Sequence, residues 1–174
     1  MLTRTDIENY FIAEKNESLI FLIVGIVAIL LALIGFIWFK NNLYKGAAIP
    51  LLLIGLVQVL VGYTVYARSD EQRIANVYAY DMNPDTLKTK ELPRMKQVNA
   101  RFLIYRWVEV GCIGAGILLM ILYRKSTAGM FWFGLGVTLT IQAVLMLAAD
   151  YFAEQRAVRY TKQLETLVSG KKIT

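Results

Sequence analysis

The stretch SLIFLIVGIVAILLALIGFIWF, residues 18–39, decides how this chain is read. No charged residue falls between Glu17 and Lys40. A helix that crosses about 30 Å of hydrocarbon needs about 20 residues, each rising about 1.5 Å. Residues 18–39 meet that length without a break, so they predict a membrane-spanning helix.

Working outward, three more runs reach the same length. Residues 47–66 follow, with Pro50 in the first turn, where a missing N–H costs little. Residues 103–123 carry Arg106 and Glu109 near their start, and residues 129–152 carry Asp150 near their end. The whole composition agrees: 57% of residues are hydrophobic and the mean hydropathy is +0.49, against about 45–50% apolar residues in a soluble domain. The excess is concentrated in the four runs, which excludes a soluble globular enzyme. An all-α polytopic membrane protein is expected. The first 17 residues are mixed and acidic and lead into a full-length run, unlike a cleaved signal peptide, so the first helix is expected to be retained. No lipidation motif is expected at either end.

Two of the connections are short: KNNLYK at 40–45 and RKSTA at 124–128. Turns of that length join antiparallel neighbours, so the four runs predict two helical hairpins. On the opposite side the apolar pattern continues at helical spacing. Thr5 and Glu8 suggest a capping box ahead of Ile7, Tyr10, Phe11 and Glu14. After the second run, Tyr66, Asp70, Ile74, Val77 and Asp81 keep the period until Asn83-Pro84 breaks it. Pro93, Met95, Val98 and Phe102 precede the third run, and Ala153, Ala157, Tyr160, Leu164 and Leu167 extend the fourth. All four helices should project beyond the bilayer on the terminal side. One structural domain is expected, with a first hairpin over 1–83, a connecting loop over 84–92 and a second hairpin over 93–174.

Shifting the chain by 83 residues aligns seven identities between 46–73 and 129–156, including Glu71-Gln72-Arg73 with Glu154-Gln155-Arg156. The Glu-Gln-Arg match lies at the same distance from each short turn and suggests a parallel tandem repeat. Lys and Arg are also distributed unevenly. The terminal side holds 14: Arg4, Lys15, Arg68, Arg73, Lys88, Lys90, Arg94, Lys96, Arg101, Arg156, Arg159, Lys162, Lys171 and Lys172. The turn side holds four: Lys40, Lys45, Arg124 and Lys125. This bias predicts cytoplasmic termini, in a bacterial inner membrane.

Ionisable and polar groups within the runs are the first candidates for function, because burying them in hydrocarbon is costly. Arg106 and Glu109 share a helix face, and Asp150 lies at the matching depth on the antiparallel neighbour. The three predict either a structural Arg106–Asp150 salt bridge or a polar path open to the terminal side. Gln58 and Gln142 are expected to bond across helices. GCIGAG at 111–116 resembles a nucleotide-binding fingerprint, but it lies inside an apolar run with no preceding strand, so Gly111, Ala115 and Gly116 are read as helix-packing residues, like Gly25, Ala28, Ala32 and Gly35. Trp38, Tyr44, Tyr123 and Trp132 at one end, and Tyr63, Tyr66, Tyr105, Trp107 and Tyr151 at the other, form aromatic belts.

No histidine and a single cysteine, Cys112, leave little material for a metal centre, a haem or a disulfide framework. No nucleophile–base pair suggests an enzyme. No cofactor is expected. The net charge of +6 fits contact with anionic membrane lipid, and no nucleic-acid motif accompanies it. The expected function is non-enzymatic: a protein–protein interaction, as an accessory subunit or an immunity-type protein against a membrane-acting toxin, with a protein partner or a homo-oligomer. The expected contact residues are Arg73, Ile74, Val77, Tyr78, Tyr80, Arg156 and Tyr160, with Tyr78 and Tyr80 off the Ile74–Val77 stripe. The alternative is a small ion or solute conduit through Glu109, Arg106 and Asp150.

Overall fold

The computed structural model describes residues 2–169, all of it helices and short connections. Lys171 and Lys172, counted above, lie outside the described residues. Helix α1 runs Arg4–Ile37, α2 Asn42–Met82, α3 Pro84–Thr86, α4 Leu92–Tyr123 and α5 Met130–Ser169; one π-helical stretch, Leu87–Glu91, joins α3 to α4. Among the described residues, four helices are long and apolar enough to cross a membrane. The longest, α2, has 41 residues, an axis of about 60 Å.

Several boundaries differ from the sequence expectation. The capping box is Thr3 with Asp6, not Thr5 with Glu8: Asp6 N–H donates to Thr3 Oγ1 at 3.2 Å and Thr3 N–H to Asp6 Oδ2 at 2.9 Å. Glu8 instead pairs with Arg4 one turn away, at 3.2 Å. The turn read over 40–45 is shorter, because Asn41 Oδ1 accepts from Leu43 N–H and starts α2 at Asn42. The connection read as a loop over 84–92 is helical, with Pro84 and Pro93 each in the first turn of a helix, where proline is tolerated.

In the apolar halves the packing is carried by small residues. Along α1 the buried positions include Phe11, Ser18, Gly25 and Ala32, and, interleaved with them, Ala28 and Gly35. Along α2 they include Ala48, Gly55, Gly62 and Ser69. The seven-residue spacing brings one stripe back to the partner helix every two turns. A Cβ on Gly25 would lie 2.8 Å from Gly55 O, and one on Gly62 would lie 2.9 Å from Ser18 O, so α1 and α2 run antiparallel with their backbones nearly touching. On the other pair, a Cβ on Gly116 would lie 2.8 Å from Gly136 O. Helices α2 and α5 meet where a Cβ on Gly46 would fall on the Phe131 backbone and one on Gly134 on that of Leu43.

The order across the apolar half is therefore α1, α2, α5, α4, with α4 leaning on α5. Leu, Ile, Val and Phe face outward there: Ile20, Leu30, Leu60, Ile104, Leu118 and Leu145 are all exposed. The terminal half reverses this arrangement. Leu2, Ile7, Tyr10, Phe11, Leu87, Met95, Tyr160 and Leu164 form a buried cluster against which Val77, Tyr80, Val98 and Leu167 pack. That half has the large-residue core of a water-soluble bundle.

Candidate functional site

Seven-residue spacing along α4 and α5 places charge on the helix–helix seam. The buried positions of α4 are Met95, Glu109 and Gly116, and Glu109 takes the place of a small residue. Asp150, half-buried, occupies the same seam on α5, seven residues after buried Ala143 and seven before buried Ala157. The two carboxyls line one cavity. Neither oxygen of Glu109 meets a hydrogen-bond donor among the described residues. The cavity, of about 480 Å³, is also lined by Phe102, Arg106, Leu147 and Tyr151 among others.

The salt bridge expected between Arg106 and Asp150 is not formed. Arg106 pairs with Glu154, one turn further along α5, because the long arginine side chain reaches away from the apolar middle toward the polar half. Glu154 belongs to the repeated Glu-Gln-Arg triplet, which was the available signal for it. In the middle of the apolar halves Gln58 Nε2 donates a long hydrogen bond of 3.5 Å to Gln142 Oε1, both side chains buried between α2 and α5. Gly111 and Ala115 do not pack: both are exposed, and a Cβ at Gly111 would meet nothing within 4 Å. Gly116 alone of that cluster lies on the seam through Glu109. Gly111 is two residues from Glu109, about 200° around the helix.

The terminal half separates the residues expected to contact a partner. Ile74 and Tyr78 are 63% and 66% exposed, and Met82, absent from the expectation, is 70% exposed. Spaced four apart, the three form one exposed apolar stripe along the end of α2. Tyr80 lies on the opposite face, where its hydroxyl donates to Leu2 O at 3.2 Å, and Val77 packs on the core. Tyr78 thus lies on the Ile74 stripe and Tyr80 does not. The period read in the sequence runs from Ile74 to Val77 and Asp81, and so passes over the four-residue steps that reach Tyr78 and Met82.

Arg73 is half-buried and pairs with Asp70 at 3.5 Å, and Arg156 pairs with Glu17 of α1. Tyr160 is fully buried and stacks on Tyr10 with ring centroids 4.3 Å apart. Burial pushes both phenols up, out of any physiological titration range. These two tyrosines, with Phe11 edge-on to both, are core rather than surface. Beside them Glu91 is buried and takes a two-pronged hydrogen bond from Arg94, both contacts at 2.7 Å, the geometry that suits a guanidinium to a carboxylate. No group of acids and cysteines suited to a metal occurs among the described residues. No family model, curated protein or solved structure matches the chain.

Proposed function

We propose that this chain is a non-enzymatic integral membrane protein that acts by binding another protein, as an accessory subunit or as an immunity-type protein against a membrane-acting toxin. The four long helices cross the bilayer as two antiparallel hairpins with tandem-repeat character, and both termini lie in the cytoplasm of a bacterial cell. Membrane insertion is supported by the outward-facing Leu, Ile and Val of the apolar halves around glycine and alanine seams, the arrangement expected where lipid is the solvent.

The observation that carries the interaction reading is the Ile74–Tyr78–Met82 stripe. It begins eight residues beyond the second apolar run, about 12 Å past its end, where lipid no longer covers it. An exposed aromatic between two large apolar side chains in water is a typical anchor for a partner. Photo-crosslinking in intact cells tests this. A photoreactive residue at Tyr78 should trap one discrete partner, and at Lys96, across the bundle, it should not. Ile74→Ser with Met82→Ser should abolish the Tyr78 product. Absence of any product at positions 74, 78 and 82 in cells that express the protein at its natural level would contradict the reading.

One observation favours a conduit as the second reading: Glu109 is buried with no donor on either oxygen and lines one cavity with Asp150. No comparable charge continues the line toward the turn end among the described residues, where Gln58 and Gln142 hold the middle. Glu109-dependent ion flux in liposomes would establish the conduit reading in place of the first.

A further inference from the structure

Where the apolar halves give way to the polar ones, a second cavity of about 430 Å³ lies among α1, α2, α4 and α5. Three guanidinium groups from three helices border it: Arg68 of α2, Arg101 of α4 and Arg156 of α5. Arg68 lies two residues after the second apolar run, Arg101 two residues before the third and Arg156 four residues after the fourth. They share one level, just outside the apolar segments.

Three acids line the same cleft, Glu14, Glu17 and Asp150. Glu17 pairs with Arg156. Glu14 accepts from Ser69 Oγ at 3.3 Å and Tyr10 OH at 3.5 Å, and the charges of Arg68 and Arg156 act on it. Arg68 and Arg101 form no ion pair among the described residues, and Arg156 Nε is buried with no acceptor. Below this charged rim the lining turns apolar, through Phe21, Leu60 and Phe102.

We propose that the cleft binds the headgroup phosphate of an anionic phospholipid, with the first methylenes of an acyl chain against Phe21 and Leu60. Guanidinium forks match phosphate oxygens in both charge and geometry. The cleft is open on the α4 side because α4 leans on α5 and makes few contacts with α1 or α2, so a lipid has a lateral route in. A seated lipid links α2 to α4, which otherwise meet only sparsely. This inference rests on the membrane reading above.

The test uses the full chain in detergent and counts bound lipid by native mass spectrometry. The probes are phosphatidylglycerol, phosphatidylcholine and glycerol 3-phosphate. Phosphatidylglycerol should bind one per chain, and Arg68→Gln with Arg101→Gln should weaken it at least about tenfold, the loss of charge-assisted hydrogen bonds. Lys40→Gln with Lys125→Gln, which removes equal charge at the turn end, should leave binding unchanged. Leu60→Trp fills the apolar part of the cleft without touching charge and should also weaken binding; it keeps the test open if the arginine variant does not fold.

Equal loss in both double variants overturns the proposal, as does no loss in the arginine and Leu60 variants. Phosphatidylcholine bound as tightly, or glycerol 3-phosphate bound as tightly as the lipid, overturns it too. Alkaline carbonate extraction of cell membranes separates this failure from that of the membrane reading. A chain that stays in the membrane but fails the lipid arms refutes only the cleft, and a chain that washes off refutes the membrane reading.

Discussion

Burial, more than residue type, sets what each polar side chain does in this protein. Glu14 follows the helical period of the sequence, and it lies half-buried against Ser69 and Tyr10. Burial pushes its carboxyl above the usual range, while Arg94, Arg68, Arg156 and the Ser69 hydrogen bond pull it back. The folded chain therefore holds this proton to higher pH than the unfolded chain does. The stability it contributes is present below the ordinary value of 4.5 and falls as pH rises through the raised one. Glu14→Gln keeps the hydrogen-bonding shape without the charge, so thermal melts of the variant should show a flatter decline from acid toward neutral pH. An unchanged slope would place the effect elsewhere. Nothing in the sequence around Glu14 distinguishes it from an exposed acid such as Glu71, because the difference lies in what the neighbouring helices bring against it. Arg106 teaches the same lesson. Its depth was readable, but its choice of Glu154 over Asp150 depends on the direction in which the side chain leaves the helix.

At the scale of the element, the contrast between Gly25 and Gly111 is the informative one. Both are glycines in long apolar helices, and both were read as packing residues. A Cβ at Gly25 would meet the Gly55 carbonyl oxygen and Gln58 Cβ at 2.8 Å each, whereas one at Gly111 meets open space. Gly25→Val should therefore force α1 off α2 and lower stability by about 1–3 kcal/mol or more, read as loss of resistance to denaturing detergent. Gly111→Val should stay within about 1 kcal/mol of the native chain. Comparable losses in the two variants would refute the assignment of the seam. In α1 the small residues Gly25, Ala28, Ala32 and Gly35 stand out against large neighbours, so the packing face was legible. In α4 the run GCIGAG offers several small residues close together, and only the position of α5 selects Gly116.

For the whole molecule, the opposed burial patterns of the two halves predict its placement. Large apolar residues point outward beside the glycine seams and inward around Tyr10, Met95 and Tyr160. A single solvent does not favour both arrangements, which supports the proposal that one half lies in lipid and the other in water. In a Cys112→Ser background, Asn42→Cys and Ser126→Cys should label with an impermeant reagent from one face of the membrane and Ser169→Cys only from the other. Labelling of Asn42→Cys and Ser169→Cys from the same face would remove the topology on which the docking stripe and the lipid cleft both depend.

The sequence by itself determined that the chain is helical and that four helices are long and apolar enough to span a membrane, because span length and hydropathy are properties of consecutive residues. The small-residue face of α1 belongs to the same class, since spacing along one helix defines it. Tertiary structure alone decided that Tyr78 is exposed while Tyr80 and Tyr160 are buried, that Arg106 reaches Glu154, and that Arg68, Arg101 and Arg156 border one cleft. These facts join residues separated by up to 88 positions in the chain, from Arg68 to Arg156. Their proximity depends on the register and rotation at which helices dock, and those are set by backbone contacts at Gly46, Gly55, Gly116 and Gly134, which no local pattern of hydrophobicity encodes.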